Sequence, residues 1–169
     1  MSSAPREAAG TDAPGPGRPS SAGARPRAAE PPWWDGRLAF ECTACGKCCL
    51  NHGEGYEFVF STVDERRALA AHFGIPLREF ERRYCERKLG ALTFASRGDA
   101  CIFLDAQGRC SVYALRPTQC RTFPFWPELL EDESTWQRDV ASFCPGVGRG
   151  RPRDRDEIEA AMRRAGHPR

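Results

Sequence analysis

Residues 42–49 read Cys-Thr-Ala-Cys-Gly-Lys-Cys-Cys, which places four of the chain's nine cysteines within eight positions. Two thiolates three positions apart on a tight turn can bind one metal ion, and Gly46 supplies the positive φ that such turns often need. Cys48 and Cys49 are adjacent, so their side chains diverge and one ion rarely binds both. The stretch therefore predicts metal ligation, with either two centres or one multi-iron cluster and a separate thiol.

The remaining cysteines are spread from residue 85 to residue 144: Cys85, Cys101, Cys110, Cys120 and Cys144. Without Cys85, eight cysteines divide into two sets of four, the number that two tetrathiolate sites need. Cys85 follows Tyr84 on a predicted helix, where a cysteine often acts as a small apolar residue. The expected metal ligands are therefore Cys42, Cys45, Cys48, Cys49, Cys101, Cys110, Cys120 and Cys144.

The metal stays open between an iron–sulfur cluster and zinc. Zinc sites often use two C-x2-C turns, and this chain has one clean turn of that kind. Cys42, Cys45 and Cys48 match the C-x2-C-x2-C spacing of bacterial ferredoxins. The Cys-Pro pair at 144–145 resembles the end of that motif, although its ferredoxin spacing is absent because Cys49 follows Cys48 directly. The pattern favours a four-iron cluster, held by these three cysteines and a remote one, over zinc.

The overall composition limits the partners that the chain can have. It carries 25 basic and 23 acidic side chains in 169 residues, a formal net charge of +2, so no nucleic acid partner is expected. It has no run of about 18 apolar residues, so no membrane-spanning helix is expected. Without a recognisable export signal we expect a cytoplasmic protein, because thiols bind metal rather than form disulfides in the reducing cytosol.

The length predicts one domain between two flanking segments. Residues 1–32 contain seven prolines and eight alanines but no aromatic residue, and they are expected to form a disordered tail. Residues 33–148 contain every cysteine and form the expected metal-binding domain. In residues 149–169, an acidic start and a basic end predict a charged surface helix.

Short elements are expected around the cysteines. Strands are predicted at 38–40, 56–60 and 135–143, and helices at 62–73, 77–88 and 116–121. The first helix opens on a capping box formed by Thr62 and Glu65. A hairpin over residues 101–113 is expected to bring Cys101 and Cys110 together. The expected fold is a small, irregular, metal-stabilised α+β domain with short strands, two or three helices and long cysteine-bearing loops.

The chain resembles the YkgJ-type cysteine-cluster family, also called the CxxCxxCC or zinc- or iron-chelating domain family. The resemblance rests on residues 40–49, 101–104, 108–113, 116–125 and 144–146, and it covers residues 38–148. It implies a bacterial, cytoplasmic metal-binding protein in which the eight motif cysteines are the ligands. A similar domain occurs in flagellin lysine methylases, which is the association that suggests an enzyme.

Two arginines are candidates for compensating the charge of the metal. A tetrathiolate centre carries about two negative charges, and its burial requires nearby cations and hydrogen bonds. Arg116 and Arg121 lie beside the second group of cysteines and are expected to supply them, the alternative being two solvated surface arginines. His52 is a candidate replacement for one thiol. The nearby aromatic residues are expected to form a core around the metal rather than a platform for bases. They are Phe103, Tyr113, Phe123, Phe125 and Trp126.

Three functions follow from these patterns. The first is an iron–sulfur protein for electron transfer or sensing, with a redox partner. The second is a zinc-stabilised interaction module without catalysis, which binds a partner protein. The third, an enzyme of protein methylation or thiol redox chemistry, lacks support, because we find no phosphate-binding glycine loop and no Ser-His-Asp arrangement. No catalytic residue is assigned.

Overall fold

The computed structural model describes residues 30–50 and 58–165. The chain divides into residues 1–30 and 31–169, and the second unit contains all the helices and strands of the described ranges. The predicted tail therefore lies almost wholly outside the described residues, and so does His52. Within the described ranges, no helix has both the length and the apolar surface that a membrane crossing requires.

Five α-helices lie in the described part of the chain: α1 Val63–His72, α2 Leu77–Tyr84, α3 Thr118–Thr122, α4 Glu133–Trp136 and α5 Arg155–Ala165. Short 3-10 turns occur at Lys47–Cys49, Tyr113–Leu115 and Pro127–Leu129, and a π-helical turn at Gln137–Ala141 continues α4. Helix α1 begins with the predicted capping box, in which Thr62 and Glu65 bond each other's backbone amides. The predicted turn at 116–121 corresponds to α3.

The strand predicted at 135–143 is wrong, because this segment is helical. The Asp132 side chain caps α4 by accepting a hydrogen bond from the Thr135 amide at 2.8 Å. Trp136 and Val140 are four positions apart and are 1% and 0% exposed, respectively. Side chains at that spacing lie on one face of a helix, whereas in a strand the same face recurs every second residue.

Six short strands form three two-stranded antiparallel sheets in the same ranges. The pairs are β1 Ala39–Phe40 with β6 Val147–Pro152, β2 Cys85–Lys88 with β3 Ala91–Phe94, and β4 Ser96–Arg97 with β5 Ala100–Cys101. Helices and antiparallel strands thus occur together, which confirms the α+β class, with more helices than the two or three expected.

The second predicted helix is too long at its C-terminal end. Helix α2 ends at Tyr84, and Cys85 begins strand β2 instead. The turn between β2 and β3 holds Leu89 and Gly90, whose φ values are 49° and 79°. Two successive residues with positive φ are typical of the tight turns that join antiparallel strands.

The predicted hairpin over 101–113 is present only at its tip. The turn from Asp105 to Gly108 closes with a hydrogen bond from the Gly108 amide to the Asp105 carbonyl at 3.0 Å. Beyond it, one bridge pairs Leu104 with Cys110. Cys101 pairs with Ser96 of β4 instead, so the hairpin does not itself place Cys101 opposite Cys110.

The buried apolar side chains form two cores. The first core centres on Trp34, Phe125, Leu129, Trp136, Val140 and Ile158. The second core holds Leu69, Ala70, Phe80, Phe94, Phe103 and Val112. Cys144 packs against the first core, whereas Cys101 and Cys110 pack against the second. Predicted metal ligands therefore pack against both cores.

The C-terminal helix belongs to the first core. Ile158, Ala161 and Ala165 on one face of α5 are buried there. The boundary expected after Gly148 falls inside β6, which pairs with β1. The segment 149–165 thus packs with the cysteine-bearing part of the chain.

The carboxylate of Glu65 links α1 to α3. Its Oε1 accepts hydrogen bonds from the Thr118 amide at 2.6 Å and the Thr118 hydroxyl at 2.7 Å. Its Oε2 accepts one from the Thr62 amide at 2.9 Å. Burial raises the pKa of Glu65, but the hydrogen bonds from Thr62 and Thr118 together outweigh it and hold the pKa below its ordinary value.

We expect Glu65→Gln to destabilise the protein at neutral pH and to make no difference in acid. Hydrogen bonds to a charged group contribute about 1.5–3 kcal/mol. Because the folded-state pKa is depressed, this contribution is present above the unfolded pKa of about 4.3 and is lost as the pH falls through the folded value. Denaturant unfolding of both proteins at a series of pH values measures the gap between their free energies of unfolding. A gap that stays constant down to pH 3 would contradict this assignment.

Candidate metal centre

Four of the predicted ligands line one small cavity of about 30 Å³: Cys42, Cys45, Cys48 and Cys144. The first two follow β1 and the last precedes β6, and these strands pair. The Glu41 amide donates to the Gly146 carbonyl at 3.1 Å, which extends the contact toward the thiols. A Cβ on Gly146 would lie 2.6 Å from the Glu41 carbonyl oxygen, so glycine permits this close approach. We call these four cysteines the first thiol group.

The other four predicted ligands, Cys49, Cys101, Cys110 and Cys120, form the second thiol group. A bridge between Leu50 and Ala100 places Cys49 beside Cys101. The thiol of Cys49 hydrogen-bonds with Cys110. Cys120, on α3, lies within electrostatic range of Cys101 and Cys110. The structure thus brings together four thiols from four separate segments.

Cys48 lies between the two groups. It hydrogen-bonds with Cys49 of the second group. Its charge acts on Cys120 of the second group and on Cys144 of the first. Cys48 is therefore the thiol through which the two groups are in contact.

The hydrogen bonds of Cys49 determine which neighbouring thiols ionise. Hydrogen bonding to Cys110 and then to Cys48 raises the pKa of Cys49, so it keeps its proton. Hydrogen bonding with Cys49 is the largest cause that lowers the pKa of Cys48 and that lowers the pKa of Cys110 to about 6. Burial opposes this effect on both thiols, and the positive charge of Arg116 adds to it. Ionisation of Cys110 is thus favoured near neutral pH, and the thiolate is the form that binds metal.

Burial has the opposite effect on the more enclosed cysteines. Desolvation is the largest cause that raises the pKa of Cys101, Cys120 and Cys144. Neighbouring sulfurs add to the effect, because negative charges close together repel. A bound cation reverses this effect and favours deprotonation of these thiols.

Arg116 lies directly on the first thiol group. Its Nη1 donates to the Cys42 sulfur at 3.6 Å, and its Cζ lies 3.6 Å from the ring centroid of Tyr113. The ring holds the guanidinium in place by a cation–π contact. Arg121 bonds the Arg116 carbonyl and the Thr118 hydroxyl instead of a sulfur. Arg121 therefore contacts Arg116, which in turn contacts Cys42.

Cys85 is separated from both thiol groups. It packs against the second core, and burial raises its pKa to about 11. The charged groups that act on it are Arg66 and Glu81. These contacts are those of a half-buried structural thiol.

The donor set fits a soft metal such as iron in a cluster or zinc. Eight thiols gather in two groups of four beside a cationic arginine, and thiolates select these metals. Within the described ranges, no three Cys, His, Asp or Glu side chains are already arranged around one point. Several sulfurs are joined by hydrogen bonds instead, so metal binding requires these side chains to rotate toward a common centre.

Gly46 fixes the loop that carries the first cysteines. Its φ is 71°, as the sequence predicts, and its carbonyl accepts a hydrogen bond from the Cys49 amide at 2.8 Å. A Cβ at this position would lie 1.9 Å from the carbonyl oxygen of Gly108. Only glycine can therefore combine this conformation with this contact.

We expect Gly46→Ala to destabilise the protein by about 2–5 kcal/mol and to reduce its metal content. The left-handed backbone costs about 1–2 kcal/mol for alanine, and the overpacking adds about 1–3 kcal/mol. Gly108→Ala is the matched control, since Gly108 has a φ of 73° but nothing within 4 Å of an added Cβ. Denaturant unfolding and metal analysis compare the two variants. Equal losses of stability and metal in the two variants would show that the close contact of Gly46 with the Gly108 carbonyl does not contribute to either.

The sequence did not identify two residues of the site. Tyr113 lies beside the first thiol group, and its hydrogen bond with Cys42 raises its pKa. Its spacing of three positions from Arg116, which spans one 3-10 turn, is the signal that could have found it. Phe123 lines the same cavity. Both had been predicted only as members of an aromatic core.

The fold and the two thiol groups define a small cysteine-rich α+β domain built to chelate metal. A family model of the CxxCxxCC type, described as a "Putative zinc- or iron-chelating domain", matches residues 41–145, which is more than half of the chain. The chain therefore belongs to this family.

A protein of Methanocaldococcus jannaschii, "Uncharacterized protein MJ0661", is 27% identical over 124 residues. The aligned part covers 71% of this chain and 64% of that protein, so the chain spans less than two thirds of this relative. No solved structure matches the chain.

Proposed function

We propose that the chain is an iron–sulfur protein whose first thiol group holds a four-iron cluster. The observation that supports the proposal is that the remote Cys144 lines the same cavity as Cys42, Cys45 and Cys48. A C-x2-C-x2-C run with one distant cysteine is the ligand set of ferredoxin-type clusters. A single zinc ion is more often held by two separate C-x2-C turns.

The second thiol group would hold a second centre of four thiolates. Its four members supply four ligands by themselves, and Cys48 of the first group is their neighbour. Arg116 would offset part of the negative charge that both centres carry, since its charge reaches Cys48 and Cys110. Such charge and hydrogen bonding near the sulfurs also tune a cluster's reduction potential.

The position of the first group suits electron transfer. Cys42, Cys45 and Cys48 are exposed, so a cluster on them would lie at the surface. When bound, the cluster would accept and release one electron at a time, while the chain positions it against a protein redox partner. All nine cysteines are free thiols, in keeping with the reducing cytoplasm where we place the protein.

One observation favours zinc as the second candidate. The cavity of the first group is about 30 Å³, which is enough space for one or two water-sized particles. A single metal ion therefore suits this volume. A zinc-stabilised module would use the metal to join the two small cores, and its function would be to bind a partner protein. Zinc would then contribute folding free energy but no redox chemistry.

Analysis of the full chain purified without oxygen separates these functions. We expect iron, acid-labile sulfide and a visible absorption that dithionite bleaches. Cys144→Ser should lose most of this absorption, whereas Cys85→Ser, as the matched control, should keep it. A colourless protein that contains zinc and no sulfide would overturn the proposal in favour of the zinc module.

A further inference from the structure

A second, larger cavity of about 400 Å³ lies beside the thiols. It shares Cys42, Cys48 and Arg116 with the small cavity and adds residues of α3 and α5. Its volume falls in the range of pockets that bind small molecules. Two properties of its walls identify the kind of molecule that it suits.

The first property is positive charge. Besides Arg116, the cavity is lined by Arg121, Arg153 and Arg164. Two carboxylates, Glu41 and Glu157, also line it, which leaves an excess of two positive charges among these six side chains. Glu157 pairs with the guanidinium of Arg151 outside the cavity, at 2.8 Å between Nη1 and Oε2, and more weakly with Arg153 inside it, at 3.4 Å between Nη1 and Oε1.

The second property is unused hydrogen-bonding capacity on these arginines. The Nε of Arg153 is buried and has no hydrogen-bond partner among the described residues. Arg164 is exposed and makes no ion pair with any residue that the structure describes. Arg121 donates to the Arg116 carbonyl and the Thr118 hydroxyl, but its ion pair with Glu65 is long, at 3.7 Å, so its charge is only weakly paired. Guanidinium groups with free donors bind carboxylates and phosphates in preference to other ligands.

We propose that this cavity binds a small organic oxyanion, with a carboxylate or phosphate against Arg121, Arg153 and Arg164. The apolar part of the ligand lies on Phe123, Phe125 and the alanines of α5. Because Cys42 and Cys48 also face the cavity, the bound anion lies next to the first thiol group. The chain thus holds a small-molecule site at the edge of its metal centre, a role beyond the proposed electron transfer.

Two matched probes test the site on the metal-loaded full chain. Phenyl phosphate and benzoate carry the same ring and differ in the oxyanion, and benzamide is the neutral counterpart of benzoate. We expect at least one of the two anions to bind in an NMR titration at fixed ionic strength, and benzamide to bind at least about tenfold more weakly. The better anion identifies the headgroup. If neither anion binds, or if benzamide binds equally well, the proposal is wrong.

Two neighbouring arginines at the end of α5 provide the variant and its control. Arg164→Ala should weaken the anion at least about tenfold, the loss expected for one charge-assisted hydrogen bond. Arg163 is also exposed but pairs with Glu159 at 3.5 Å and does not line the cavity. Arg163→Ala should change affinity less than about twofold. If both variants weakened anion binding equally, the effect would come from the net charge of the protein and not from a specific site, and the proposal would be wrong.

Metal content is measured on the same samples, so the two proposals fail separately. A protein that contains zinc but still binds the anion through Arg164 would overturn the iron–sulfur function and support the anion site. An iron–sulfur protein that binds no anion would support the iron–sulfur function and overturn the anion site.

Discussion

Cys48→Ser is expected to lose its metal and much of its stability together. Cys48 lines the first cavity, hydrogen-bonds with Cys49 and acts electrostatically on Cys120 and Cys144, so both thiol groups depend on it. Bonds to metal contribute directly to the free energy of folding, and the loss of a metal ligand belongs to the most damaging single changes. We expect less than half of the normal metal content and a loss of at least about 3 kcal/mol of unfolding free energy. Elemental analysis and denaturant unfolding measure the two.

Cys85→Ser is the control for this prediction. It makes the same chemical change in a half-buried cysteine that packs on the second core and lies outside both thiol groups. Its metal content should be normal, and its stability should fall by no more than about 1 kcal/mol. If Cys48→Ser kept full metal content and unchanged unfolding, Cys48 would not be a ligand.

Trp136→Ala is expected to destabilise the protein by about 3–5 kcal/mol, the usual cost of truncating a buried aromatic residue to alanine. Trp136 is 1% exposed and lies at the centre of the first core. Its ring packs edge-on against Trp33 and is stacked on Phe125, with centroids 6.2 and 6.4 Å apart. Such a loss is a large part of the total stability of a small domain. Denaturant unfolding of the metal-loaded protein measures it.

Trp136→Phe is the matched control. Phenylalanine keeps a ring against Phe125 and leaves a smaller cavity, so we expect less than half of the loss seen with alanine. Equal losses in the two variants, or a loss below about 1 kcal/mol with alanine, would contradict the position of Trp136 in the core.

Local signals in the sequence predicted local structure well. The capping box at Thr62 and Glu65 begins α1, and Gly46 has the positive φ expected of it. Both depend on residues within a few positions of each other, whose sterics and hydrogen bonds are the same in any fold. The short strand β1 lies within the predicted 38–40 for a similar reason.

Predictions failed where long-range packing decides the conformation. The segment 135–143 has residues compatible with a strand, yet Trp136 and Val140 enter the first core from one helical face. The strand β2 replaces the end of a predicted helix, because its residues pair with β3 instead of continuing α2. Tertiary contacts of this kind override local propensity.

The sequence predicted two sets of four cysteines, but it left open which cysteines belong to each set. That assignment depends on the pairing of β1 with β6, which joins residues about a hundred positions apart and places Cys144 beside Cys42. Spacing along the chain carries no information on that pairing. The larger cavity, too, exists only because α5 packs against α3 and brings Arg164 near the cysteines.

The central claim is that cysteine sulfur holds the metal. X-ray absorption at the edge of the metal, on full-chain protein as purified, tests it most directly, because the spectrum reports the donor atoms around the metal. We predict a first shell of sulfur alone, at about 2.3 Å for either zinc or cluster iron. A first shell dominated by nitrogen or oxygen would contradict the account.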